Sequence, residues 1–307
     1  MPSSDSTRCG FVAVVGAPNA GKSTLLNRII GSKIAIVTPK AQTTRSRMVG
    51  VLTEGSVQIA FVDTPGIFAP KRRLDKAMVS AAWQASGDAD VTLALIDAER
   101  ASHAGNVGWN EMAELLEKLA GSGGQLVLAF NKIDLVERTK LLPMIERLDK
   151  TGQNDRTFLI SAHTGDGVDD LLAYLSDAMP EGPWLYPDDQ ISDISDRLLA
   201  AEITREKLFL FLHEELPYGL TVETEIWERA EDDSLRIGQV VHVARAGHKG
   251  IVLGKRGQMI KKIGSAAREE LIELMECKVH LSLFVRVTER WMEDRHRFSE
   301  MGLEFDV

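Results

Sequence analysis

Two short stretches of this chain set cations beside glycines in ways that suit phosphate. "GAPNAGKS", residues 16–23, has the spacing G-x-x-x-x-G-K-[ST], with Gly16, Gly21, Lys22 and Ser23 at the fixed positions. Glycines allow successive backbone N–H groups to turn inward around anionic oxygens, and a helix starting there adds the positive end of its dipole. Lys22 has the reach for β- and γ-phosphates, and the Ser23 hydroxyl is a magnesium ligand in such a cradle. "GKRG", residues 254–257, instead frames Lys255 and Arg256 between Gly254 and Gly257. That arrangement lets a main chain approach a sugar-phosphate backbone and lays two positive charges on it. The plain alternatives are a strand–turn–helix connection for the first and a helix-start turn with solvated charges for the second.

Three further motifs bear on which nucleotide the cradle takes. "DTPG" at 63–66 ends an apolar run, where a carboxylate packs poorly; Asp63 suits magnesium held through water, and the Gly66 N–H suits a γ-phosphate, with Thr64 and Pro65 between them. "NKID" at 131–134 ends another run. The Asp134 carboxylate accepts from the ring N–H and exocyclic amine of guanine, whereas adenine presents a lone pair at that ring nitrogen, a mismatch a polar site rejects strongly. Asn131 and Lys132 brace the base and the loop. Ser161, Ala162 and His163, the "SAH" after the last run, offer backbone N–H groups to the guanine carbonyl oxygen. Singly "NKID" is weak and "SAH" close to worthless; four motifs in order, each at the carboxyl end of an expected strand, point to GTP. The nucleotide contacts are then expected from Gly16, Ala17, Pro18, Asn19, Ala20 and Gly21 through Lys22, Ser23 and Thr24.

The expected catalytic set is Lys22, Asn19, Thr44 and Gly66, with Ser23, Thr44 and Asp63 around magnesium. Thr44 is preferred to Thr43 as the threonine of "TPKAQTTRSRMVG" that closes onto the metal; "IFAPKRRLDK" is the expected second switch, its Lys71, Arg72 and Arg73 read as a solvated face. One position departs from the Ras pattern. Where a glutamine there orients the attacking water, this chain has Ile67, which has neither donor nor acceptor. Slow turnover follows, with Asn19 as the candidate helper.

These residues need elements to hold them. The chain has 307 residues, which suits two domains. At 44% hydrophobic and 26% charged it reads as an ordinary globular protein. Two cysteines, Cys9 and Cys277, make no disulfide framework and suggest a reducing compartment. No apolar run approaches the roughly 20 residues of a membrane span, and "MPSSDSTRCGFVAVVG" does not read as a signal peptide. A net charge of −9 argues against general affinity for polyanions, so nucleic acid would have to meet a local basic patch. "FVAVVG", "VQIAFVD", "VTLALID", "QLVLAFN" and "RTFLIS" are nearly continuous apolar runs that alternate with amphipathic segments. This is the pattern of a doubly wound, mostly parallel α/β sheet, expected over residues 1–180.

A proline-bearing stretch, "MPEGPWLYPDDQISD", reads as a stiff linker over 181–194. Residues 195–307 follow a different order, α-β-β-α-α-β plus a tail, opening on a long helix over about Asp193 to Leu216. With "GKRG" in that frame, the second half reads as an α+β KH domain of type II. Its RNA contacts are expected at Lys249, Gly254, Lys255, Arg256, Gly257, Lys261 and Lys262, with Arg268 thickening the patch. Ile251, Leu253, Ile260 and Val243 are candidates for an apolar base groove, core packing being the equal alternative. His242 and His248 receive no role, and Trp227 and Trp291 read as packing residues.

Nearly the whole chain resembles the Era family of bacterial ribosome-assembly GTPases. The resemblance rests on "GAPNAGKSTLLN", "KAQTTRSR", "VDTPG", "YPDDQISD" and "LLAAEITREKLFLFLHEELPYG", the last two not generic to GTPases. It implies a P-loop GTPase domain followed by a type II KH domain, GTP and GDP with Mg2+ as ligands, and GTP-gated binding of small-subunit ribosomal RNA near its 3′ end during 30S maturation. It further implies a monomer in the cytoplasm, with peripheral association at the inner membrane known in the family. In related GTPases an asparagine at the position of Asn19 helps place K+. Ala17 and Ala20 depart from the family's usual arginine or lysine and valine, and Lys255-Arg256 replaces asparagine-lysine with the charge kept. Two rivals stand beside this reading. One is an RNA-binding scaffold with a structural GTP site; the other is a tRNA-modifying GTPase, whose reactive C-terminal cysteine the ending "MGLEFDV" lacks.

Overall fold

The apolar runs of the first half all become strands of one sheet. In this computed structural model residues 7–306 are described, apart from 41, 42, 69, 71, 122, 123, 150, 151, 153, 214 and 215. The strands are β1 (Arg8–Gly16), β2 (Met48–Glu54), β3 (Val57–Asp63), β4 (Val91–Asp97), β5 (Gln125–Asn131) and β6 (Arg156–Leu159). They lie in the order β2-β3-β1-β4-β5-β6, parallel except for β2, which pairs antiparallel with β3. β2 is the strand that the apolar runs do not announce. Its signal is the turn, since Gly55 at φ 58° and Ser56 join two runs in register from Met48↔Asp63 to Glu54↔Val57.

Helices α1 (Lys22–Ile30), α2 (Arg73–Asp88), α3 (Ala98–Ser102), α4 (Asn106–Ala120), α5 (Arg138–Asp149) and α6 (Val168–Ala178) complete this part. Strand side chains alternate between two cores. Val12, Val14, Leu93, Leu95 and Val127 pack with Leu25, Leu26, Leu171 and Leu175 of α1 and α6. Ala13, Val15, Ala94, Ile96 and Leu128 pack with Ala85, Leu116 and Leu148 of α2, α4 and α5. Burial on both faces is why these strands read as continuous apolar runs.

The described residues divide into two compact units. One comprises Met1–Ile34, Thr44–Asp193 and Glu300–Val307; the other comprises Ala35–Thr43 and Ile194–Ser299. The proline-bearing connector is strapped to the first unit. Gln58, fully buried, accepts from the N–H groups of Leu185 and Tyr186 at 2.9 Å each and donates to the Tyr186 carbonyl. Asp193 accepts from the Val49 N–H at 2.8 Å, and Ile191 accepts from the Val51 N–H at 2.9 Å.

The second unit holds α7 (Asp196–Phe211), β7 (Leu220–Arg229), β8 (Leu235–Val243), α8 (Ala246–Leu253), α9 (Gln258–Met275), β9 (Val279–Val287) and α10 (Arg295–Glu300). The α-β-β-α-α-β order is the expected one, and its sheet runs β7-β8-β9 with β8 and β9 parallel. The opening helix is shorter than periodicity suggests. Ser195 caps its start, its hydroxyl accepting from the Leu198 N–H at 3.3 Å. It stops at Phe211, and Leu216–Gly219 forms a separate 3-10 turn.

Candidate nucleotide site and basic loop

The strand order reverses around β1, so the loops leaving β1 and β3 lie side by side at the carboxyl ends of the sheet, where open α/β folds bind ligands. Local backbone geometry builds the first loop. Gly16 has φ 150°, and a Cβ there would stand 2.5 Å from the Leu95 carbonyl oxygen. Gly21, at φ 97°, caps α1, and its Cβ would meet Asn131 Nδ2 at 2.1 Å. Asn19 is exposed and takes φ 64°, a conformation asparagine tolerates better than most residues. Lys22 is buried, its Nζ donating to the carbonyls of Gly16 and Ala17 at 3.3 and 3.2 Å. Burial pushes its pKa down, opposed by the charge of Asp63.

Ser23, Thr44 and Asp63 meet at one corner. The Ser23 hydroxyl donates to Asp63 Oδ2 at 3.0 Å, and the Thr44 hydroxyl lies 3.0 Å from that of Ser23 and 3.4 Å from Asp63 Oδ2. Asp63 is fully buried and its Oδ1 has no hydrogen-bond partner. Burial raises its pKa above the ordinary 3.8, against the opposing pull of Lys22, Ser23 and Thr44. Two hydroxyls and an under-satisfied carboxylate suit Mg2+, a hard cation that takes oxygen ligands and shares them with phosphate rather than needing a cage. Among the described residues no cluster of three His, Cys, Asp or Glu side chains offers such a cage elsewhere. Thr43, by contrast, turns its hydroxyl to Thr38 at 2.7 Å and to the Lys40 carbonyl at 2.8 Å.

The DTPG turn is fastened to the phosphate loop. The Thr64 hydroxyl donates to the Val14 carbonyl at 2.8 Å, the Ile67 N–H to that of Gly16 at 3.0 Å, and a Cβ at Gly66 would be 2.8 Å from the Pro18 nitrogen. Ile67's side chain is half-buried and packs against the core cluster on that face of the sheet. Of the basic second-switch residues, Lys71 lies outside the described residues, the Arg72 N–H donates to Asp75 at 3.0 Å, and the Arg73 guanidinium sits over the Phe305 ring.

Asn131 ties three loops together. Its Nδ2 donates to the Ala20 carbonyl at 2.7 Å, and its Oδ1 accepts from the Ala162 N–H at 2.8 Å. Lys132, at φ 68°, pairs with Asp97 at 2.6 Å, leaving Asp134 exposed on the 3-10 turn Ile133–Leu135. Two of the three "SAH" amides have partners within the protein. The Ser161 N–H donates to the Asp166 carbonyl and that of Ala162 to Asn131, because buried amides do not stay unpaired. Sequence reasoning missed Arg28, whose Nε donates to the Ala162 carbonyl at 2.6 Å and whose Nη2 donates to that of His163. It also missed Asp97, the partner of Lys132. Position on helix or strand gave neither away, since both act across more than 30 residues.

The second unit's loop is the opposite of a closed pocket. Gly254, Arg256 and Gly257 have φ of 68°, 53° and 76°, and the Lys255 and Arg256 side chains are exposed, as are Lys261 and Lys262 on α9. Lys262 Nζ stands 4.4 Å from the Phe211 ring centroid. Lys249 on α8 is half-buried. Of the four groove candidates, Ile251 is 57% exposed, Leu253 and Ile260 are half-buried, and Val243 is fully buried in the core, which removes it from any surface. His242 is likewise buried, while Trp291 packs with its indole N–H donating to the Gly219 carbonyl at 3.1 Å.

Residues 11–132 match the family model described as 50S ribosome-binding GTPase, and residues 215–292 match the KH domain model. GTPase Era of Brucella suis biovar 1 (strain 1330) is 54% identical over 300 residues, spanning 97% of this chain and 94% of the relative. The chain belongs to the Era family of GTPases. GTPase Era of Caulobacter vibrioides (strain NA1000 / CB15N) is 52% identical over 309 residues, 98% of each chain. The solved structure of Aquifex aeolicus Era bound to GDP·AlF4− superposes with a TM-score of 0.88 at 36% identity, over 96% of this chain and 99% of that one. An Era structure in complex with MgGDPNP and nucleotides 1506–1542 of 16S ribosomal RNA gives 0.89 at 36% identity, with the same coverage. As a family member this chain binds GTP with Mg2+ and hydrolyses it to GDP and phosphate. Among the described residues no helix is long and apolar enough to cross a membrane.

Proposed function

We propose that this Era-family chain is a GTP-gated switch on small-subunit ribosomal RNA. GTP draws Thr44 and Gly66 around the γ-phosphate, the "GKRG" loop then binds RNA near the 3′ end, and hydrolysis releases it during 30S maturation. The observation that carries the reading is the end-to-end match to an Era bound to both MgGDPNP and 16S ribosomal RNA. In this reading Lys22 and the amides from Gly16 to Gly21 hold the phosphates, Ser23, Thr44 and Asp63 hold the metal, and Asp134 reads guanine. Bound Mg2+ neutralises charge on the β- and γ-phosphates.

Because Ile67 is committed to the core, the attacking water must be oriented by another group. Asn19 is the candidate, working with K+. Equal turnover in sodium and potassium buffers would remove K+ and leave Asn19 as the residue that shapes the turn. The chain works in the cytoplasm as a monomer, and any contact with the inner membrane is peripheral.

Gating requires RNA to distinguish the two nucleotide states. Fluorescence anisotropy of a labelled 16S 3′-end fragment is expected to show tighter binding with MgGDPNP than with MgGDP. Lys255→Asp with Arg256→Asp is expected to weaken RNA binding by about tenfold or more, and to lower the salt slope by about 1 to 2, as loss of two phosphate contacts requires. Equal RNA affinity in the two nucleotide states would favour a scaffold with a structural GTP site.

A further inference from the structure

Arg28 lies on α1, the helix whose start forms the phosphate loop, about 9 Å along the axis from Lys22. Its guanidinium reaches from that helix to the loop after β6, and every group concerned belongs to the first unit. Nε donates to the Ala162 carbonyl at 2.6 Å, and Nη2 donates to the carbonyl of His163. Two N–H groups on one edge of a planar fork thus hold two successive carbonyls, a geometry that a lysine point charge does not fix. The loop leaves room for the fork. Gly165 has φ 95°, and a Cβ there would stand 2.9 Å from Arg28 Nη1.

Each carbonyl of this loop is rigidly joined to the N–H of the next residue, so its peptide planes can be taken in turn. The 161–162 plane is tied at both ends: the Ser161 carbonyl accepts from the Gly165 N–H at 2.8 Å, and the Ala162 N–H donates to Asn131. The 163–164 plane is held by Arg28 at its carbonyl, while its N–H donates to the Ser161 hydroxyl at 3.1 Å. Between them, the plane that carries the Ala162 carbonyl and the His163 N–H is held, among the described residues, by Arg28. Ala162 is therefore clamped from two elements, by Asn131 of β5 and by Arg28 of α1. Arg28 is itself exposed, and replacing such a surface side chain seldom costs much stability. What the fork supplies is orientation.

We infer that Arg28 is a positioning residue for guanine recognition. By fixing the 162–163 and 163–164 peptides against α1, it sets the base loop at a constant distance from the phosphate loop, and with it the contact to the guanine carbonyl oxygen. The inference rests on the reading that Ser161–His163 meets that oxygen while Asp134 meets the ring N–H and the exocyclic amine.

The test is competition titration of the full chain, with Mg2+, using GDP, 6-thio-GDP and inosine diphosphate. Sulfur is a poorer acceptor than the carbonyl oxygen it replaces, so the ratio of 6-thio-GDP to GDP dissociation constants reads the loop. Inosine lacks the exocyclic amine, so the corresponding inosine ratio reads Asp134. Arg28→Gln is expected to lower the first ratio by about three- to tenfold, the scale of one hydrogen bond's net contribution, and to leave the second within about twofold. Arg28→Lys is expected to fall between it and the parent. A merely structural role would weaken all three nucleotides alike and leave both ratios at the parent's values. That result in a cooperatively melting Arg28→Gln protein overturns the inference, and so does an equal fall in both ratios. Should that variant not fold, Arg28→Lys decides by the same ratios. Asp134→Asn separates the two levels. If it lowers the inosine ratio while the Arg28 variants leave both ratios intact, only the inference fails; if the parent binds GDP and 6-thio-GDP equally, the assignment of the loop to the carbonyl oxygen fails with it.

Discussion

The two glycine-framed stretches are built on opposite plans. Around "GAPNAGKS" the functional groups are buried and bonded to one another: Lys22 to two loop carbonyls, Ser23 to Asp63, Asn131 to Ala20 and Ala162. Around "GKRG" Lys255, Arg256 and Lys261 stand in solvent. A small charged ligand is gripped by preorganised groups whose desolvation is already complete before it arrives. A polymer brings its own extended surface, and exposed cations suffice to meet it through phosphate charge. The cost also falls differently. Burial pushes the pKa of Lys22 down and that of Asp63 up, as functional sites tend to do.

The contrast can be broken most sharply at the base. Asp134→Asn is expected to lower GTP affinity by about a thousandfold and to confer preference for xanthosine nucleotides, since a mismatched polar pocket rejects its ligand. Unchanged GTP affinity in competition titrations would remove Asp134 from the site. Next comes Asp63→Asn, with a loss of about 10- to 100-fold in magnesium-dependent GTP affinity, the scale for a group that holds a metal through water. The same change has the opposite sign on the unliganded fold. Burial holds the folded Asp63 carboxyl above the ordinary 3.8, so in the window just above 3.8 the folded state keeps a proton the unfolded chain has released. Stability then falls as pH rises through that window, and the asparagine variant is expected to melt higher at neutral pH with a flatter profile. Calorimetry of nucleotide-free protein reads both effects.

The smallest effect lies in the second unit, away from its basic loop. His242 is bonded to Thr288 Oγ1 at 2.9 Å and lies 3.2 Å from both Glu223 and Arg297. Burial, then the Arg297 charge, push its pKa below 6.5, with Glu223 opposing. The unfolded chain therefore binds the proton first as pH falls below 6.5, and stability is lost in that direction. His242→Gln is expected to flatten that acid limb while RNA affinity at pH 7.5 stays the same. Weakened RNA binding would show that this buried cluster shapes the loop.

Motifs whose function lies in the local backbone were legible. Gly16 and Gly21 announce a cradle because any chain that bends there presents the same N–H groups, and alternate burial of Val12 to Val15 gives strand β1 its continuous apolar run. β2 was hidden because its short run carries Gly50, although the Gly55-Ser56 turn marked it. The register of the guanine loops was half legible. Asn131 was readable as a brace, but not that it would occupy the very N–H of Ala162 that the base was expected to use.

By itself the sequence determined the ligand class, the order of elements and the two kinds of site, since each depends on residues within a few positions of one another and on backbone conformations glycine alone adopts readily. Only the tertiary structure decided that Ala35–Thr43 packs with the second unit, that Arg205 grips a carbonyl 162 positions away, and that Val243 and His242 lie inside rather than on the surface. Those outcomes follow from which buried polar groups find partners once the chain is closed. No local pattern records such partners, because each candidate has many acceptors of the same chemistry along the chain.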